Sequence, residues 1–96
     1  MPVYLIAQID ITDRDEYARY EAGFLDVFSK YEAELVAVDE QVRTLEGEWP
    51  CTRTVLLRFK DEDEANRWYH SAEYQSLAQH RFAAARANVV LVTGLA

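Results

Sequence analysis

Alternating and helical hydrophobic periods succeed one another along the chain in the order strand, helix, strand, strand, helix, strand, and this order limits the folds open to it. Val3 to Ile11 is rich in β-branched and aromatic residues on both faces, which predicts a central strand. Thr12 and Asp13 offer N-cap oxygens, with Asp15 and Glu16 in capping-box position, so a helix is expected to follow to about Tyr31. Tyr17, Tyr20, Phe24, Leu25, Phe28 and Tyr31 form its apolar stripe. Glu34 to Glu46 reads as a long second strand, with Asp39-Glu40 marking an edge position or a bulge. Gly47 and Pro50 make a turn of the segment from Glu46 to Cys51.

Arg53 to Lys60 is the expected third strand. Asp61 with Glu64 then caps a short helix reaching about His70. Ser71 caps a second helical piece that should run to about Ala87, with Tyr74, Leu77, Ala78, Phe82 and Ala85 inward. Val89 to Thr93, wholly apolar, is expected to be a buried last strand that Gly94 ends. The order β-α-β-β-α-β predicts an α+β, ferredoxin-like four-stranded antiparallel sheet with the first and third strands central. Both helical regions would cover one face. The other face stays apolar, and a second copy laid sheet to sheet is the expected cover, hence a homodimer.

Ninety-six residues make one domain, taken as 1–96. No apolar run approaches the ~20 residues that span a bilayer, and the start lacks the basic, apolar pattern of a signal peptide. A single cysteine, Cys51, fits a reducing cytoplasm. The net charge of -7 disfavours nucleic acid. All acidic residues fall at or before Glu73, so Arg81, Arg86 and His80 make the last quarter the cationic part of an acidic chain.

Several blocks carry a family resemblance: Tyr4-Leu5-Ile6-Ala7, Asp10-Ile11-Thr12-Asp13, Leu45-Glu46-Gly47-Glu48-Trp49-Pro50, Arg53-Thr54-Val55, Trp68-Tyr69, Ser71, Glu73-Tyr74-Gln75, Arg81 and Val89-Val90-Leu91-Val92. In these the chain resembles the domain-of-unknown-function family 1330 over essentially its whole length. The resemblance implies a dimeric α+β barrel, a superfamily that also holds cofactor-free monooxygenases, haem-binding enzymes and lactone isomerases. It implies no activity for this family.

Arg81 shares a helical face with Tyr74 and Leu77, and a charge placed there needs an anionic partner. Glu46 or Glu48 is the structural candidate, a ligand carboxylate or enolate the functional one. The expected ligand-binding set is Arg81, Arg53, Trp49, Trp68 and Tyr74, with His80 or Glu46 moving a proton. His70 and His80 do not form a metal motif, and no metal or organic cofactor is expected. Cys51 reads as a passive thiol. Pro2 leading into a strand superficially resembles the N-terminal base of tautomerases, whose repeat is shorter than this chain. Three functional classes stay open: a cofactor-independent enzyme of monooxygenase or isomerase type acting on a small anionic or aromatic metabolite, a non-catalytic binder of such a molecule, and a structural or regulatory dimer.

Overall fold

The structure, a computed structural model, describes residues 1–95. Its elements are β1 (Val3–Ile11), α1 (Arg14–Phe28), β2 (Ala33–Asp39), β3 (Arg53–Phe59), α2 (Glu62–Tyr69), α3 (Ala72–Ala84) and β4 (Ala85–Thr93). The four antiparallel strands are ordered β2-β3-β1-β4, so β1 and β3 are central as the chain order requires. This is the ferredoxin-like α+β arrangement, with the second helical region split in two.

Capping chemistry sets every helix start. The carboxylates of Asp13 and Asp61 accept from the N–H groups of Glu16 and Glu64, and the Ser71 hydroxyl accepts from that of Tyr74. Ser71 also donates to the Trp68 carbonyl at 2.8 Å, so one hydroxyl closes α2 and opens α3. The α3 helix ends at Ala84, three residues earlier than its apolar stripe suggests. There Ala85 turns extended, and the Ala84 carbonyl accepts the Thr12 and Asp13 N–H groups at 2.7 and 3.0 Å.

The β2 strand stops at Asp39, well short of Glu46. The Asp39 carboxylate accepts from the Gln41 N–H at 2.7 Å and turns the chain, and Glu40 is drawn to Arg14 and Arg53. β2 is an edge strand, one of the two alternatives that Asp39-Glu40 points to, and the bulge that is the other lies between Leu35 and Ala37, where the pairing with β3 shifts register.

Alternation on β1 sorts the two faces of the sheet. Val3, Leu5, Ala7 and Ile9 point at the helices and are buried. Leu57 and Phe59 of β3 join them, under Tyr17, Tyr20 and Phe28 of α1 and Trp68, Tyr74 and Ala78 further on. The α1 and α3 helices touch where Gly23 meets Leu77, and a Cβ at residue 23 would stand 2.7 Å from the Leu77 Cδ1. On the opposite face Ile6 lies between Leu56 and Val90, and Tyr4 lies beside Val92. These residues are only partly covered.

β4 is therefore not buried within the protomer: Val90 and Val92 are 53% and 45% exposed. Both lie on the sheet face that no helix covers, and β4 is at the edge, pairing with β1 alone. Pro2 is buried and its carbonyl accepts from the Gly94 N–H, pinning the chain start beside the end of β4.

Trp68 sits at the centre of the aromatic packing, with ring centroids 5.3 Å from Phe59, 5.9 Å from Phe28 and 4.1 Å from Tyr74. Trp68→Ala is expected to cost about 3–5 kcal/mol, read as a urea-midpoint shift. A shift worth less than about 1 kcal/mol would show that the ring is not what joins α2 to the sheet.

Candidate functional site

Between α1 and the β2–β3 side of the sheet lies a cleft of about 200 Å³. Its floor is aliphatic, from Leu5, Ala7 and Ile9 of β1 and Val55 and Leu57 of β3. Leu35 and Val38 of β2 form one flank, and Tyr17, Tyr20, Phe24 and Leu25 of α1 the other, with Trp68 also in the wall. Arg53 and Glu21 are its charged lining residues. A mostly apolar concavity with a few polar groups at one end is what small-molecule sites look like.

At the polar end Arg53 and Glu21 line the cleft, and a second arginine, Arg81, lies behind Tyr20. Arg53, at the start of β3, stands 5.5 Å from the Tyr17 ring centroid. Its charge is fully matched, by Glu21 at 3.1 Å and Glu40 at 3.0 Å. Glu40 also takes Arg14 at 2.9 Å, and the hydrogen bonds from Arg14 and Arg53 hold its carboxyl below the usual carboxylate range. This chain of ion pairs ties α1 to β3 and to the start of the 40–52 connection.

Arg81 is different. It is only 6% exposed, and among the described residues no carboxylate forms an ion pair with it. Its guanidinium lies 5.7 Å from the Tyr20 ring centroid and 5.0 Å from that of Phe82. The hydroxyls of Tyr20 and Tyr74 are 2.6 Å apart in the same cluster. Burial works to lower the Arg81 pKa and the two phenols more than offset it, so the guanidinium stays charged. Burial, followed by the contact with Tyr74, pushes the Tyr20 phenol far above its ordinary value, and burial raises Tyr17 as well. The result is a positive charge behind a wall of neutral phenols.

Arg53 and Trp68 thus line the cleft, while Tyr74 and Arg81 stand behind Tyr20. His80 does not line it. Its Nδ1 pairs with the Glu16 carboxylate, joining α3 to α1 at a half-exposed position. Glu46 and Glu48 are exposed on the 40–52 connection, so neither is the partner that the sequence offered for Arg81. Trp49 is 41% exposed and donates its indole N–H to the Thr54 hydroxyl, on the sheet face away from the cleft. Cys51 lies half-buried with its sulfur 3.6 Å from the same hydroxyl. Tyr17 and Tyr20, from the apolar stripe of α1, and Glu21 beside them also belong to the wall. Two hydroxyls three residues apart in that stripe were the available signal. Among the described residues no group of three or more His, Cys, Asp or Glu side chains is placed to hold a metal.

Fold and cleft together define a ferredoxin-like α+β protein with an apolar, cation-backed cavity between its first helix and its sheet. The chain belongs to the family described as "Domain of unknown function (DUF1330)", whose model matches residues 2–95. No curated protein matches the sequence. Among solved structures it is similar to the RPA0582 protein of unknown function from Rhodopseudomonas palustris, at 14% identity over 99% of this chain and 83% of that one, with a TM-score of 0.83. It is also similar to SnoaB, a cofactor-independent oxygenase from Streptomyces nogalater, at 14% identity over 99% and 94% of the two chains and a TM-score of 0.69. A dimeric ferredoxin-like protein of unknown function from Thermobifida fusca matches at 12% identity over 96% and 90%, with a TM-score of 0.70. At such identities the likeness is one of fold.

The unmatched charge of Arg81 has a measurable consequence. Exchanging a buried ion for an apolar side chain of similar length is close to neutral when no counter-charge is left behind. Arg81→Met is therefore expected to keep its urea midpoint within about 1 kcal/mol of the wild type, or to raise it. A loss of about 3 kcal/mol or more would reveal a carboxylate partner.

Proposed function

We propose that the protein binds a small aromatic molecule in the cleft between α1 and the sheet, through a weakly acidic oxygen (a phenol, enol or carboxylate), and acts on it without a bound cofactor. The observation that carries this reading is the buried charge of Arg81, paired with no carboxylate among the described residues and set behind the Tyr20 wall. A cation held in a low-dielectric site stabilises negative charge developing nearby, and it does so without reorganising. Formation of an enolate or phenolate is the step such a field favours.

Size agrees with the chemistry. An apolar cavity of about 150 Å³ takes benzene, so about 200 Å³ suits one ring with substituents. In this reading Arg53 and Trp68 wall the ligand, and Tyr74 orders Tyr20 beside Arg81. Glu21 is the carboxylate within the lining, while His80 is held by Glu16 outside it. Glu46 and Trp49 do not line the cleft and take no part. The shared fold of a cofactor-independent oxygenase supports the reading by analogy only.

The working form in this proposal is a homodimer. Ile6, Leu56, Val90 and Val92 make the sheet's open face apolar, and a second copy would cover it. Among the described residues no helix is long and apolar enough to cross a membrane. The single half-buried thiol of Cys51 suits a reducing cytoplasm, the compartment we propose.

Light scattering at micromolar concentration should return about twice the 11.1 kDa chain mass. A monomer that unfolds cooperatively would end the dimer proposal. For the site the probe is 4-nitrophenol, whose colour reports its ionisation. Bound to the wild type, its pKa should fall by about one unit, corresponding to roughly 1.4 kcal/mol, and Arg81→Met should remove that fall. Absence of binding, or an unchanged pKa in both proteins, would sink the reading.

A further inference from the structure

Among the described residues two buried side-chain polar atoms lack any hydrogen-bond partner, the Arg53 Nε and the Trp68 Nε1. Both residues belong to the wall of the same cleft. Buried polar groups are overwhelmingly paired in folded proteins, so two orphans carried by side chains that line one cavity call for an explanation. Both orphans are N–H donors. What is missing from the cleft is therefore acceptors.

The two donors ask for different acceptors. Arg53 Nε lies with Tyr17 at the charged end, the end that Arg81 backs through Tyr20. An acidic oxygen can accept the Nε N–H there, with its charge met by the field of Arg81, since Glu21 and Glu40 already match the charge of Arg53. Trp68 Nε1 lies among rings, with Phe24, Phe28 and Phe59 at centroid distances of 6.2, 5.9 and 5.3 Å. An ionised group there would be an unpaired charge in apolar surroundings, whereas a carbonyl or ether oxygen would satisfy the indole at little desolvation cost. We infer that the ligand carries two oxygens of unlike character, an acidic one toward Arg53 and a neutral acceptor that takes the Trp68 indole N–H, so that Trp68 is a specificity-determining residue. The ligand class is an aryl or enol ketone with an acidic hydroxyl. This rests on the proposed function of the cleft and narrows it. The indole N–H is closed off from water, so the ligand reaches it by parting the ring contact between the half-buried Phe24 and Trp68.

The test compares 4-hydroxyacetophenone with 4-isopropylphenol, which has nearly the same shape and lacks the ketone oxygen. Each is titrated into wild type and Trp68→Phe by calorimetry. Their different acidities act in both proteins and cancel in the ratio of ratios. The preference for the ketone should be about tenfold larger in the wild type than in Trp68→Phe, the size of one otherwise unmade buried hydrogen bond. Equal preference in the two proteins would overturn the role of Trp68 while leaving the cleft as a phenol site. Failure of both phenols to bind the wild type would overturn the inference together with the reading beneath it.

A second measurement needs no folded Trp68 variant. The two indole N–H resonances of the wild type are assigned with Trp49→Phe, since Trp49 is the only other tryptophan. The Trp68 resonance should move downfield with the ketone and stay in place with 4-isopropylphenol. An equal response to both compounds, or none to either, would refute the hydrogen bond.

Discussion

Everything in the helical layer leans on the indole of Trp68. It stands within ring-contact distance of Phe24 and Phe28 on α1, Phe59 on β3 and Tyr74 on α3, so a short helix carries the joint between three longer elements. An eight-residue helix is marginal by propensity alone, and packing of this kind is what holds it. The Ser71 hydroxyl reinforces the joint by closing α2 and capping α3 at one point. A ring so placed fills the core with most of its surface and leaves part of it to the cleft. Its N–H then falls where the core offers no acceptor.

The same region separates two ways of burying a guanidinium. Arg53 has two carboxylates, and its charge is used to fasten α1 to β3 at the charged end of the cleft. Arg81 has phenols and rings, which soften the desolvation penalty without cancelling the charge. One arginine is therefore structural in its electrostatics and the other leaves a field in the cavity. That contrast, more than the shape of the cleft, is the ground for proposing a ligand there.

The open face of the sheet and the cleft are complementary results of one topology. Covering a single face with all three helices leaves the other face bare. It also lets α1 stand off the β2 side, where the sheet is irregular between Leu35 and Ala37. A fold family that hosts unrelated activities is understandable in these terms, because the strands set the cavity's floor and the helices its lining.

The strand order, the helix starts at Asp13, Asp61 and Ser71, and the centrality of β1 and β3 were legible in the sequence, because caps and hydrophobic periods are local properties. So was the inward placement of Tyr74, Ala78 and Arg81 on one face of α3. The extent of β2 was not, since an Asp39 turn and the reach of Glu40 to Arg14 and Arg53 decide where it stops. Nor was the exposure of Val89 to Val92, because an apolar strand reads the same in the middle of a sheet as at its edge. Tertiary structure alone chose phenols instead of Glu46 as the company of Arg81, and placed Tyr17, Tyr20 and Glu21 in the wall of the cleft. Sequence spacing fixes which side chains share a helix face. Which element that face meets depends on how the elements pack, and the partners of a buried charge are settled there.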